Sequence, residues 1–412
     1  MKRDILTLGV VLLVALCANL AAAAPVEVTL WHYFEHEADA LEKVVADYNA
    51  MQDEIYIVPT FVSRDELMNQ YTIGAISGQL PDIGMVDSPD MASYIALGVF
   101  EDITDYLKDW DDLQYFYEGP LSSCMDAEGR IYGLPNNSNC LALLCNMDML
   151  RAAGYNEPPK TWDELLEVAA ATTDASKGIY GFAMSAISNE EGTFQFIPWL
   201  YASGAKVSSI DSPEAVEALS FLTTLVDKGY MSKEVINWGQ GDAYNAFIGG
   251  RAAMLESGTW QIATLDRDKV HESFEYQYAL LPMGKQYASV IGGENFGITT
   301  ACKAKDACVE FLKFMQSAKN NAQWCEIAGK LPVRRDAIDH APFLSEDERY
   351  VVFTEGMNYA VARGPHPEWP IISEALYSAL QAALIGAKTP QQAIKDAAAV
   401  INPILEVTPI GE

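Results

Sequence analysis

Eight tryptophans and 57 acidic side chains are the residues of this 412-residue sequence with the most binding chemistry to offer. An indole face stacks on apolar C–H surface, and carboxylates and amides hold hydroxyl groups through directed hydrogen bonds. Trp260 follows an apolar run and sits among Ser257, Thr259 and Gln261, a polar setting that suits a binding ring, with a core ring as the alternative. Trp238 lies in the Gly- and Asp-rich loop 237–242, and Trp369 lies between Glu368 and Pro370. Trp199 falls in the apolar, helix-like stretch 194–201, where packing and ligand contact fit equally well, and Trp31 ends the first strand pattern. Trp110, Trp162 and Trp324 fall in or beside helix patterns and are assigned to packing.

Catalytic chemistry has less support. Carboxylates near aromatic rings also describe a glycosidase cleft, the main competing class, but so many acids bring some pair together by chance. No Gly-x-Ser-x-Gly elbow, His-Glu-x-x-His pair or phosphate-cradling glycine loop occurs. The five histidines, His32, His36, His271, His340 and His366, share no ligand spacing. The expectation is a binder, not an enzyme, with no cofactor and no metal.

The elements that must position these residues begin with an α/β rhythm. Strand patterns at 26–31, 55–62 and 83–86 alternate with helical periodicity through Tyr48 and then through Ser77, where Gly78 stops the second helix. That order implies a parallel sheet with right-handed crossovers, and ligands of such sheets sit beyond the carboxyl ends of the strands. The rule points to 32–36 and 87–90. Glu35 and His36 are candidates there, with complementing a helix dipole as their alternative. Asp87 is a candidate whose alternative is capping the next helix, a task Ser88 could take. Asn139 precedes the apolar run 140–144. In 292–295, Gly293 permits close backbone approach while Glu294 and Asn295 offer hydrogen bonds; a tight turn is the alternative. Helix starts are marked at Thr161, Ser212-Pro213 and Thr389-Pro390.

Met1-Lys2-Arg3, the apolar run 5–16 and four alanines at 21–24 read as a signal peptide over 1–23. The run is too short to span a bilayer. Leu16 is too bulky before an acylated cysteine, so Cys17 reads as part of the apolar run and not as a lipid anchor. Cleavage leaves 412 − 23 = 389 residues, a length that calls for two lobes. The net charge of −30 repels nucleic acid and anionic membrane surfaces. Six later cysteines permit disulfides after export, but free buried thiols fit at least as well, and no specific bridge is expected.

Several segments in order resemble the family 1 extracellular solute-binding proteins of ABC importers, the sugar-binding group that includes maltodextrin- and glycerol-phosphate-binding proteins. They are Ser77-Gly78-Gln79-Leu80-Pro81-Asp82, then Asp126 to Pro135 with its Gly129-Arg130-Ile131-Tyr132-Gly133-Leu134-Pro135, then Asn146-Met147-Asp148 followed by Pro158-Pro159-Lys160-Thr161-Trp162-Asp163-Glu164. Phe247 to Met254, Gly258-Thr259-Trp260, Lys330-Leu331-Pro332-Val333 and the Trp369 region complete the series. Cys145 stands where the family often has tyrosine.

The resemblance covers essentially the whole chain after residue 30. It implies a two-lobed periplasmic-binding-protein-like α/β fold, a hinge of two or three crossings and a ligand cleft between the lobes. By analogy the first lobe takes 24–138 plus 290–330 and the second 139–289 plus 331–412. It implies that Trp260 stacks on sugar and that Glu35 and His36 lie where relatives contact it. The expected role is capture of a neutral mono- or oligosaccharide for ABC permease subunits by a monomeric periplasmic protein. A sensor or chemoreceptor subunit and a glycerol-phosphate ligand are the alternatives.

Overall fold

The computed structural model describes residues 24–35 and 37–410. The signal peptide expected over 1–23, with Cys17, and the candidate His36 therefore lie outside the described residues. The opening rhythm folds as its periodicity predicts: β1 (Val26–His32), β2 (Ile55–Phe61) and β3 (Ile83–Asp87) are joined by helices Ala38–Met51 and Arg64–Ser77. β1 pairs in parallel with β2 and with β3. Val28 and Leu30 turn inward at a spacing of two, and Leu41, Val44, Val45 and Tyr48 at helical spacing, so one core receives both. Gly78 ends the second helix in the left-handed region, φ 72°, and donates its N–H to the Gly74 carbonyl.

After β4 (Gly133–Pro135) the chain enters a second sheet through β5 (Leu141–Asn146), β6 (Tyr180–Ala183), β7 (Ala252–Gly258) and β8 (Tyr276–Ala279). Its order is β6-β7-β5-β8, with β5 antiparallel to both β7 and β8. Every residue of β5 and β7 is buried, because helices cover both faces. β9 (Ser289–Val290) leads back, and β10 (Glu294–Ile298) enters the first sheet antiparallel between β3 and β4. β11 (Ala360–Val361) then pairs with β9.

The result is a two-lobed α/β fold, one sheet per lobe. In the second lobe, helices Glu190–Ala202, Pro213–Asp227, Trp369–Leu384 and Pro390–Val407 bury an apolar face together. Their starts are fixed locally: Ser212 and Thr389 accept the N–H groups of Ala215 and Gln392, as Thr161 accepts that of Glu164 in an earlier helix.

Three chain segments lie side by side where the lobes meet. Ser138 exchanges backbone hydrogen bonds with Leu331, both 2.8 Å, and Asn139 exchanges them with Gly292 at 3.0 and 2.9 Å. Residues 331–340 stay against the first lobe. Tyr117 donates to the Val333 carbonyl, and buried Arg334 pairs with Asp112 at 3.1 Å and Asp336 at 2.6 Å. Among the described residues no helix is long and apolar enough to cross a membrane.

Candidate functional site

β1 and β3 run toward the gap between the lobes, and their ends furnish one wall of a cavity of about 200 Å³. Tyr33, Glu35 and Glu37 follow β1, Asp87 ends β3, and Arg64 opens the helix after β2. The facing wall comes from the second lobe, with Glu190, Glu191 and Phe194 at the start of one helix and Trp260 at the start of another. Asn139, Gly293, Glu294 and Lys330 close the bottom from the lobe junction, and Arg363 reaches in from the segment after β11.

The aromatic wall depends on a glycine. Trp260 folds back over Gly258, where an added Cβ would lie 1.9 Å from Cζ3 of the ring. Its ring centroid is 6.1 Å from that of Phe194, tilted by 38°. The Lys330 ammonium sits 5.1 Å from the Trp260 centroid, and the Arg363 guanidinium 4.5 Å from that of Phe194.

Six carboxylates and three cations line the cavity, and every one of the cations is already paired. Arg363 binds Asp87 at 2.9 Å and Glu190 at 2.6 Å. Arg64 binds Asp87 at 2.7 Å and lies 3.8 Å from Asp90. Lys330 lies 3.2 Å from Glu37 and 3.7 Å from Glu294. Burial alone would raise the Asp87 pKa, but Arg363 and Arg64 outweigh it and hold the carboxyl below its ordinary value. Burial pushes Glu294 up, with Lys330 opposing and Glu37 adding to the shift. Behind the wall, Asp90 is pushed up to about 7 by burial and by Glu190 and Asp87, which together outweigh Arg64.

Two buried polar atoms of the lining, the Tyr33 hydroxyl and Asn139 Oδ1, have no protein hydrogen-bond partner. Such atoms are costly unless something binds them. Gly292 and Gly293 bring the backbone close to Asn139: a Cβ on Gly292 would meet Asn139 Oδ1 at 2.3 Å, and one on Gly293, φ +148°, would meet the Asn137 carbonyl at 2.1 Å.

Of the residues singled out in the sequence, Trp260, Glu35, Asp87, Asn139, Gly293 and Glu294 converge on this cavity. The other candidates among the described residues lie elsewhere. Trp369 is fully buried one layer back, donating Nε1–H to Glu190 at 3.2 Å. Trp199 stacks with Phe221, centroids 5.5 Å apart, and donates to Glu256 at 2.9 Å. Trp31 stacks on Tyr71 at 6.3 Å. Trp238 is half-buried at the margin of two apolar clusters, and Asn295 turns away to donate to Ser123.

The sequence did not single out Tyr33, Arg64, Phe194, Glu190, Glu191, Gln240, Lys330 or Arg363 as site residues. Glu190 and Glu191 follow Asn189, whose side chain accepts the Glu191 N–H, an ordinary helix start. Glu191 in turn accepts the N–H of Gln240 at 2.9 Å, so its position depends on a partner 49 residues away. No local pattern announces that.

A family model described as bacterial extracellular solute-binding protein matches residues 43–350. The maltotriose-binding protein of Pyrococcus abyssi is 25% identical over 354 residues, 83% of this chain and 74% of its own. The sn-glycerol-3-phosphate-binding periplasmic protein of Escherichia coli is 24% identical over 435 aligned positions, covering 95% of this chain and 94% of its own. Among solved structures, an ABC transporter solute-binding protein of Thermotoga lettingae bound with alpha-D-tagatose superposes with a TM-score of 0.85 at 29% identity, covering 92% of this chain and all of that one.

Proposed function

Because the chain belongs to the bacterial extracellular solute-binding protein family, we propose that it captures a neutral mono- or oligosaccharide in the inter-lobe cavity and delivers it to the permease subunits of an ABC importer. One observation carries the choice of a neutral ligand. The Trp260 ring walls a cavity in which all three cations are committed to carboxylates and acids outnumber bases six to three. A phosphate ester would have to displace those pairs and meet the surplus negative charge. A sugar asks for less: an apolar face against the ring and hydroxyls toward Glu35, Glu191, Tyr33 and Asn139.

The cavity volume lies below the roughly 300–1,000 Å³ of pockets for drug-sized ligands. That favours a ligand of one or two sugar rings within the described walls. In this reading His36, Gly293 and Glu294 border the ligand. Trp369 acts by holding Glu190, and Trp199, Trp238, Trp31 and Asn295 build the surrounding structure. The lobes are assigned as 24–138 with 290–330 and 139–289 with 331–412, except that residues 331–340 go with the first lobe, because Val333 and Arg334 bond to first-lobe residues. Residues 1–23 direct export, and the protein works as a monomer without catalysing a reaction. A ligand bridging both walls stabilises the closed form by its differential affinity.

The test is a thermal-shift and tryptophan-fluorescence screen over neutral sugars, polyols and sn-glycerol 3-phosphate. A response to one or more neutral sugars is expected. A response to the phosphate ester alone overturns the neutral-ligand reading.

A further inference from the structure

Cys302 and Cys308 stand apart from the other cysteines of the described residues. Their Sγ atoms are 3.4 Å apart, and both side chains are buried. The other four thiols lie elsewhere in the fold: Cys140 donates to the Phe353 carbonyl at 3.4 Å, while burial raises the thiols of Cys124, Cys145 and Cys325.

The backbone around the pair is held on both sides. Cys302 donates its N–H to the Thr299 carbonyl, and Thr299 donates its own to Asp82. Cys308 is in the first turn of helix Lys305–Met315 and donates its N–H to Ala304. A disulfide needs its sulfurs about 2.05 Å apart. Side-chain rotation can supply the remaining approach while the two anchored backbones stay in place.

We propose that Cys302 and Cys308 form an intramolecular disulfide in the exported protein, fastening the start of helix Lys305–Met315 to the turn after β10. The oxidant is a disulfide of a thiol–disulfide exchange partner. The Cys302 thiolate attacks one of its sulfurs, giving a mixed disulfide and releasing one partner thiolate. Cys308 then gives up its proton and its sulfur attacks that of Cys302, expelling the second partner thiolate. Two protein thiols and one partner disulfide thus become one protein disulfide and two partner thiols. Because both cysteines are buried in the native fold, the exchange takes place during folding, before the turn closes.

The staple lies away from the cavity. It adjoins Asp82 at the start of β3, whereas Asp87 at the other end lines the cleft, roughly 15 Å further along the strand. It acts on the stability of the first lobe and leaves the ligand walls alone, so the proposal is independent of which sugar is bound.

Trypsin separates the two cysteines, since Lys303 and Lys305 lie between them. The full chain is refolded in oxidised and reduced glutathione, alkylated and digested without reductant. The expected result is fragment 286–303 joined to fragment 306–313, with separation on reduction. Reduction is also expected to lower Tm by a few degrees in the native chain but not in the double variant Cys302→Ala/Cys308→Ala. Recovery of both fragments as alkylated free thiols, or pairing of either cysteine with another one, overturns the proposal.

Discussion

Asp87 and Arg363 join the two lobes side by side, with Arg363 Nη2 2.9 Å from Oδ1 and Nη1 3.1 Å from Oδ2. Asp87 is fixed by β3 of the first sheet. Arg363 is anchored by the segment after β11 and by Glu190 of the second lobe. Both side chains are buried, so the pair is little screened by salt.

Removing the cation alone should therefore be expensive. Arg363→Met leaves buried Asp87 and partly buried Glu190 with one fewer counter-charge, and a loss of about 3–5 kcal/mol in unfolding free energy is expected. Urea denaturation measures it. A loss below about 1 kcal/mol would show that the carboxylates escape to water when the lobes part.

Trp260 and Trp369 should respond differently to truncation. Trp260→Ala is expected to weaken sugar binding by about 1–3 kcal/mol, with the fold retained. Trp369→Ala removes a fully buried ring and is expected to cost about 3–5 kcal/mol of stability. Isothermal titration with the sugar found in the screen, beside thermal unfolding, separates the two. Unchanged affinity in Trp260→Ala would return that ring to the core.

Glycine substitutions give a matched contrast. Gly258→Ala forces its Cβ into the Trp260 ring, so both affinity and Tm should fall, by about 1–3 kcal/mol in stability for an overpacked site. Gly241 is inside helix Gln240–Ile248 with open space around it, so Gly241→Ala should stabilise by about 0.5–1 kcal/mol. Equal behaviour of the two variants would contradict the ring's position over Gly258.

Asp90 predicts a pH dependence. Its folded pKa of about 7 exceeds the ordinary carboxylate value of 3.8, so the folded state holds the proton more tightly than the unfolded one. The stabilisation is complete below the unfolded pKa and is lost as pH rises through about 7. It amounts to something on the order of 2–4 kcal/mol. Asp90→Asn should flatten the fall in urea midpoint between about pH 4 and 7. Asp87, shifted down, works in the opposite sense: its stabilisation is present above its unfolded pKa and is lost in acid as pH falls through the depressed folded pKa. An unaltered profile in Asp90→Asn would place the proton elsewhere in the cluster.

Much of the architecture was legible because it is written in local terms. The β1–β3 alternation, the Gly78 stop and the caps at Thr161, Ser212 and Thr389 each depend on residues within a few positions. The strand-end rule led directly to Glu35 and Asp87. The rest of the cavity depends on distant contacts. Phe194 belongs to an apolar helix that reads as core throughout, and only the facing wall makes its ring part of a cleft. Trp369 and Trp199 look alike in sequence to a ligand-stacking ring. What separates them from Trp260 is a carboxylate waiting for each indole N–H, Glu190 and Glu256. That Arg64 and Arg363 would be drawn to one aspartate 23 and 276 residues away could not be read locally.

The paired segments at the lobe junction have a mechanical consequence. Residues 138 and 139 are laced to Leu331 on one side and to Gly292 on the other. A ribbon of three laced segments resists shear along its length and rotation about it, but it flexes across its plane like the spine of a book. The lobes are thus left with one soft coordinate, an opening angle. A captured molecule sets that angle, and anything docking on both covers at once can sense it without touching the page between.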